Sequence, residues 1–314
     1  ILATVKQLIN LTSFCRKVQI PFEVYAFTND WVMAERAMQN TAGNDDYDDC
    51  YPSNYSYRGI EKNTVYLHKE YFHMVNMISS RSNSRDYERM CKNVFREANY
   101  YRNYTGYRQT PGLSLSGTPL NEAVILMNYI IPEFKLQNDL QKVNVCILSD
   151  GDACTYGHEM YLDYEDRNVI RPRRIDWDTV LRDRKTGRTY EQFDHDNVTN
   201  IFIKQLRDRN PDVNIIGFRI LPGSCLSSFV GKYASYENYH EVQKQWKKEK
   251  SAIIPNPTAF TALYAISNRS LDADTEFDVE SGAKKGDISR AFKKMLKNKS
   301  TNKKMLNSFV EYVS

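Results

Sequence analysis

The chain has 314 residues and 41% apolar side chains, enough for one large domain or two small ones with a real core. Its 43 basic and 39 acidic residues leave a net charge of +4, which gives no general electrostatic case for nucleic acid. No apolar run reaches the roughly eighteen residues that a membrane-spanning helix needs, so no membrane anchor is expected.

Residues 2 to 18 read as a helix, with Leu2, Val5, Leu8, Ile9 and Cys15 on one face. Pro21 ends it, and residues 22 to 28 alternate as a strand. Residues 40 to 60, rich in Asn, Asp, Gly and Tyr, read as a surface insertion. Two helices are then expected, one with the stripe Leu67, Tyr71, Val75 and Ile78, the other with Tyr87, Met90, Cys91, Val94 and Phe95. Thr118 and Pro119 open a further helix, Thr as its N-cap and Pro at its first position, with Glu122 near its positive end. The stripe of that helix runs through Ala123, Leu126, Met127 and Ile130. Residues 143 to 148 form a nearly continuous apolar run, which suits a central parallel strand covered on both faces. That run stops at Ser149-Asp-Gly-Asp152.

Residues 155 to 196 read as a second insertion, containing a hairpin that turns near Gly187. A helix from Asn197 to Arg209, a buried strand from Asp212 to Ile220, and a last strand from Phe260 to Ile266 follow; residues 222 to 257 resist assignment. The segment 287–313 reads as helical. Helices alternating with apolar strands imply one α/β domain, a doubly wound, mainly parallel Rossmann-like sheet with helices on both faces. Such sheets bind ligands beyond the carboxyl ends of their strands. The Asp150 turn follows a strand and Thr118 precedes a helix, so both belong at that rim.

Several chemistries are not expected. Cys15, Cys50, Cys91, Cys146, Cys154 and Cys225 form no CxxC pair and read as free thiols of a reducing cytoplasm. The five histidines make no HxxxH or HExxH spacing, so a zinc centre is not expected. His195, between two aspartates, reads as the polar approach to a helix. The lysines from Lys293 to Lys304 read as a solvated helix face, and the Tyr, Arg and Asn residues from Asn99 to Arg108 as a locally packed polar loop. No nucleophile elbow, P-loop or Gly-rich dinucleotide loop is present, so the chain is not expected to be an enzyme by itself.

Gly117-Thr-Pro-Leu-Asn-Glu-Ala123, followed by Val145-Cys-Ile-Leu-Ser-Asp-Gly-Asp152, resembles the second and third parts of the metal-ion-dependent adhesion site of von Willebrand factor A (VWA) domains. Phe72 to Arg81 and the closing SFVEYV add a looser similarity to the cobaltochelatase CobT-like VWA proteins carried by T4-like bacteriophages. The resemblance implies Thr118 and Asp150 as Mg²⁺ ligands, with Ser149 and Asp152 behind them. It also implies a cytoplasmic, non-catalytic module that docks on a partner's acidic residue, such as one presented by an AAA+ ATPase ring. Mg²⁺ takes hard oxygen ligands at about 2.0–2.1 Å. A site of hydroxyls and few carboxylates leaves the ion under-neutralised and receptive to an external acid.

The chain departs from the family at one point. No DxSxS occurs in residues 1 to 314, and Asp287-Ile-Ser289 follows no apolar strand. In the family that motif ends the first strand, just before the first helix. The helix at Leu2 therefore places it upstream of Ile1, and the sheet is expected to lack its first strand; alternatively, the metal site is absent. Two other functions stay open: a CobT-like subunit of a metal chelatase, and a structural phage protein with a degenerate metal site. A generic Rossmann-like fold, in which Thr118 is only a helix cap, is the remaining alternative for the architecture.

Overall fold

A computed structural model describes residues 2–29, 63–66, 72–103, 110, 113, 117–149, 151–153, 158–162, 170–175, 177–193, 197–255 and 257–267. The insertion expected at 40–60, the helix expected at 287–313, the lysine run and His195 lie outside them.

The first elements are helix α1 (Leu2–Lys17), strand β1 (Glu23–Asn29), the short β2 (Val65–Tyr66), strand β3 (Phe72–Ser79) and helix α2 (Ser84–Asn103). β3 replaces the helix expected through Val75 and Ile78. It pairs antiparallel with β1, from Glu23 opposite Ser79 to Asn29 opposite Phe72. The stripe misled because its members also fit a strand of β-branched and aromatic residues once a partner strand is beside it. Glu23 clamps this pair, accepting hydrogen bonds from Asn76 Nδ2 (2.6 Å), Ser79 Oγ (2.8 Å) and Arg81 Nε (2.9 Å).

Helix α3 (Leu120–Asn138) and strand β4 (Val143–Ser149) come next. The segment between β4 and the following helix holds β5 (His158–Leu162), β6 (Ile170–Arg174), β7 (Leu181–Arg182) and β8 (Thr189–Tyr190). β5 and β6 pair antiparallel, with β2 on the other side of β5. β7 and β8 form the expected hairpin, and Gly187 takes a left-handed φ of 73° in its turn. Helix α4 (Val198–Arg209), strand β9 (Val213–Leu221), helices α5 (Leu226–Tyr233) and α6 (Tyr239–Glu249), and strands β10 (Ser251–Ile254) and β11 (Ala262–Ser267) complete the described chain.

The main sheet has four strands in the order β10-β11-β9-β4. β11, β9 and β4 run parallel and β10 lies antiparallel at the edge, so the fold is mixed α/β with a mixed sheet. At that edge the N–H of Ile253 donates to Gln245 Oε1 of α6 at 3.0 Å. One face of the sheet carries Val143, Ile215, Leu263 and Ala265 against α3, α4, α5 and α6. The other carries Ile216, Phe218, Tyr264 and Ile266, with the Phe218 and Tyr264 rings stacked at 5.1 Å. On that second face Cys146 packs against Phe14 and Cys15 of α1.

β4 is not the covered central strand that its apolar run suggests. Among the described residues its one ladder partner is β9, and only Val143 of its seven residues is buried. Beside it lies a slot of about 660 Å³, lined by Leu8 and Cys15 of α1, Val24 of β1, Met127 of α3, and Val145 and Ile147 of β4. The two-stranded sheet β1-β3 stands across this slot from the four-stranded sheet.

Candidate functional site

The carboxyl end of β4 meets the start of α3. Thr118 does not cap that helix. α3 begins at Leu120, Pro119 occupies the N-cap position, and no side chain caps it. A residue before proline is pushed out of the helical region, so Thr118 sits outside the helix and its hydroxyl serves elsewhere. That hydroxyl faces Gly151. A Cβ built on Gly151 would collide with Thr118 Oγ1, so only a residue without a side chain allows this approach. The next residue back, Gly117, abuts Asn29 at the end of β1; a Cβ there would lie 2.9 Å from Asn29 Nδ2. The Gly117-Thr118 loop thus touches the ends of both β1 and β4.

Asp150 lies outside the described residues, between Ser149 and Gly151, which are described. Ser149 and Asp152 are already engaged. Ser149 Oγ donates to the Gly151 carbonyl at 2.8 Å and accepts from Arg219 at 3.3 Å. Asp152, with a side chain 60% exposed, pairs with Arg219 at 2.6 Å and lies 4.0 Å from Lys232 Nζ. Thr118 thus lies against Gly151 of the turn after β4, while Ser149 and Asp152 turn toward a guanidinium.

Sequence reasoning missed Arg219. Its signal was available: a single charged residue inside the apolar strand Val213–Leu221, nine-tenths buried. It also missed the polar layer under the first turn of α3. Asn121 is fully buried and accepts from Thr199 Oγ1 at 2.8 Å. Glu122, expected at the helix end, is only 2% exposed, and its Oε2 has no hydrogen-bond partner among the described residues. Burial pushes the Glu122 carboxyl up to about 7, against a smaller lowering by its own backbone N–H.

A threonine hydroxyl and an aspartate carboxylate, the donor types of Thr118 and Asp150, are the hard oxygens that Mg²⁺ takes. Arg219 donates to Ser149 Oγ and to Asp152 Oδ1, the two residues expected behind the metal ligands. Among the described residues no three His, Cys, Asp or Glu side chains cluster in a way that could hold a metal ion. No helix among them is long and apolar enough to cross a membrane. Comparisons with protein-family models, with curated proteins and with solved structures found no match.

Proposed function

We propose that this chain is a VWA-type interaction module that binds a divalent metal at the rim of a doubly wound sheet and docks there on a partner's acidic residue. The observation that carries this reading is the contact between the Thr118 hydroxyl and Gly151, the residue that follows Asp150. It brings a loop hydroxyl against a strand-end turn at the carboxyl end of a parallel strand, where α/β sheets bind their ligands. Thr118 and Asp150 would hold the metal, and the bound ion would supply a coordination position for an external carboxylate. An AAA+ ATPase ring in the cytoplasm is the partner that the family resemblance favours.

Direct metal titration tests the reading. Mn²⁺ as a paramagnetic probe of the Mg²⁺ site should bind the full-length wild-type protein. Asp150→Ala should abolish that binding, and Thr118→Val should weaken it at least ten-fold. Equal binding by all three proteins would sink the metal-dependent model. EDTA should likewise remove association with an ATPase partner.

The second reading is a structural protein whose metal site is degenerate. Arg219 favours it, because a guanidinium already neutralises Asp152 and reaches Ser149 where a divalent ion would need negative charge. This reading expects no Mn²⁺ binding by the wild type, and no effect of Asp150→Ala beyond stability.

A further inference from the structure

We propose that Arg219 anchors a carboxylate-binding site at the carboxyl ends of β4 and β9, where Asp152 is a resident acid that a ligand's carboxylate displaces. Arg219 stands opposite Ser149 in the parallel pair of β4 and β9, at the end of the sheet where α/β proteins bind ligands. Taking a guanidinium out of water is costly unless the group is paired and its donors are satisfied. Arg219 is only partly satisfied. A guanidinium carries five N–H donors in a planar fork suited to gripping both oxygens of one carboxylate. Among the described residues Arg219 donates twice: from Nη1 to Ser149 Oγ at 3.3 Å, and from Nη2 to Asp152 Oδ1 at 2.6 Å. Asp152 thus meets the fork through one oxygen. Lys232 Nζ lies 4.0 Å from that same oxygen.

The partners of this ion pair differ in exposure. The side chains of Arg219 and Lys232 are 11% and 13% exposed, that of Asp152 60%. The cations are held on a strand and on helix α5, whereas rotation about its own side-chain bonds carries Asp152 into water. An ion pair open to solvent on its acid side is weak. An external carboxylate that grips the fork with both oxygens replaces it with no change of charge. A carboxylate fits better than a phosphate. The turn Ser149-Asp-Gly-Asp152 carries two acids in its sequence, and their charge opposes a dianion where a monoanion simply exchanges. The inference needs no metal, so it and the metal-dependent reading can fail separately.

The side-chain Nε–Hε NMR signals of arginine report on the site directly. Arg219→Lys identifies the Arg219 signal by its loss, and Ser149→Ala, which perturbs the same signal, is a second marker. The full-length protein and its Asp152→Ala variant are titrated at pH 7 in EDTA with acetate, with the blocked peptide acetyl-Gly-Glu-Gly-amide, and with inorganic phosphate. In Asp152→Ala, acetate and peptide should shift the Arg219 signal at about five-fold lower concentration than in wild type, the factor that an exposed ion pair contributes. Peptide acting below acetate would identify an acidic peptide as the source of the carboxylate, and equal action a small acid; either result supports the site. No shift in Asp152→Ala, or the same concentration for both proteins, would mean a fixed structural pair and would overturn the proposal. Phosphate acting below acetate would overturn the carboxylate assignment.

Discussion

The two sides of β4 are built to different standards. Toward β9 the strands are well buried: Ile215 and Ile216 are fully buried on opposite faces of the sheet, and α4 lies over the Ile215 face with Ile203 and Leu206 also fully buried. The hairpin β7-β8 is fastened to this side by Asp183. That carboxylate accepts from Arg209 Nε at 2.6 Å, Gln205 Nε2 at 2.5 Å, and the N–H groups of Lys185 and Thr186 at 2.7 and 3.0 Å. Toward β1 the same strand faces a cavity between two helices. Truncations on the buried side of β4 should therefore cost more stability than truncations beside the cavity.

The largest effect that would test this contrast is at Asp183. Asp183→Ala leaves the Arg209 guanidinium without its carboxylate in a site where the acid side chain was 1% exposed. A loss of about 3–5 kcal/mol in urea unfolding is expected. Burial alone would raise this carboxyl, but Arg209, Gln205 and the two N–H groups outweigh it and hold the group well below the usual range. With the folded value depressed, its stabilisation is complete above the unfolded value near pH 4 and fades as the pH falls further. An acid limb of the wild-type stability curve that persists unchanged in Asp183→Ala would contradict this assignment.

The next effect compares two isoleucines on the same face of the sheet. Ile215→Ala should cost about 2–5 kcal/mol, because a closed core cannot collapse around the lost atoms. Ile147→Ala, which only enlarges an existing slot, should cost about 1 kcal/mol. Equal losses would mean that the slot is filled in solution.

Glu122 is buried in the first turn of α3, and its effect has the opposite pH sign. Its folded value is raised from 4.5 to about 7, so the folded chain binds a proton that the unfolded chain has released. Stability contributed by this group therefore falls as the pH rises from about 4.5 to about 7 and is level above that. Glu122→Gln should be more stable than wild type by on the order of 1–3 kcal/mol at pH 8 and nearly equal to it at pH 4. Thermal melts at the two pH values measure this directly. The smallest effect is expected at the exposed rim: Asp152→Ala should change stability by less than about 1 kcal/mol, because its pair with Arg219 is open to solvent on the acid side.

Elements with a strong local signal were legible in the sequence. α1, α4 and β9 follow their apolar patterns, and the Gly187 hairpin follows its turn residue. β3 was not legible, because its pairing with β1 lies more than forty residues away in the chain and a helical stripe happened to fit the same letters. The start of α3 was misplaced because Thr118 has two possible uses, capping the helix or facing Gly151, and local sequence favours the first. That Thr118 lies near the turn after β4 follows from its place before a helix that packs beside that strand, and the structure describes its approach to Gly151. The engagement of Ser149 and Asp152 by Arg219 was not, because it joins positions about seventy residues apart through side-chain geometry alone.

The hydrogen bond from the Ile253 N–H to Gln245 has a consequence for behaviour at high concentration. A bare outer strand is a template on which other copies can stack into fibrils. Here the glutamine of α6 plugs one outward-facing donor of β10, so a neighbouring copy would meet a side-chain amide already in place. Ile253 can remain 46% exposed at that border without turning it into a seed for aggregation.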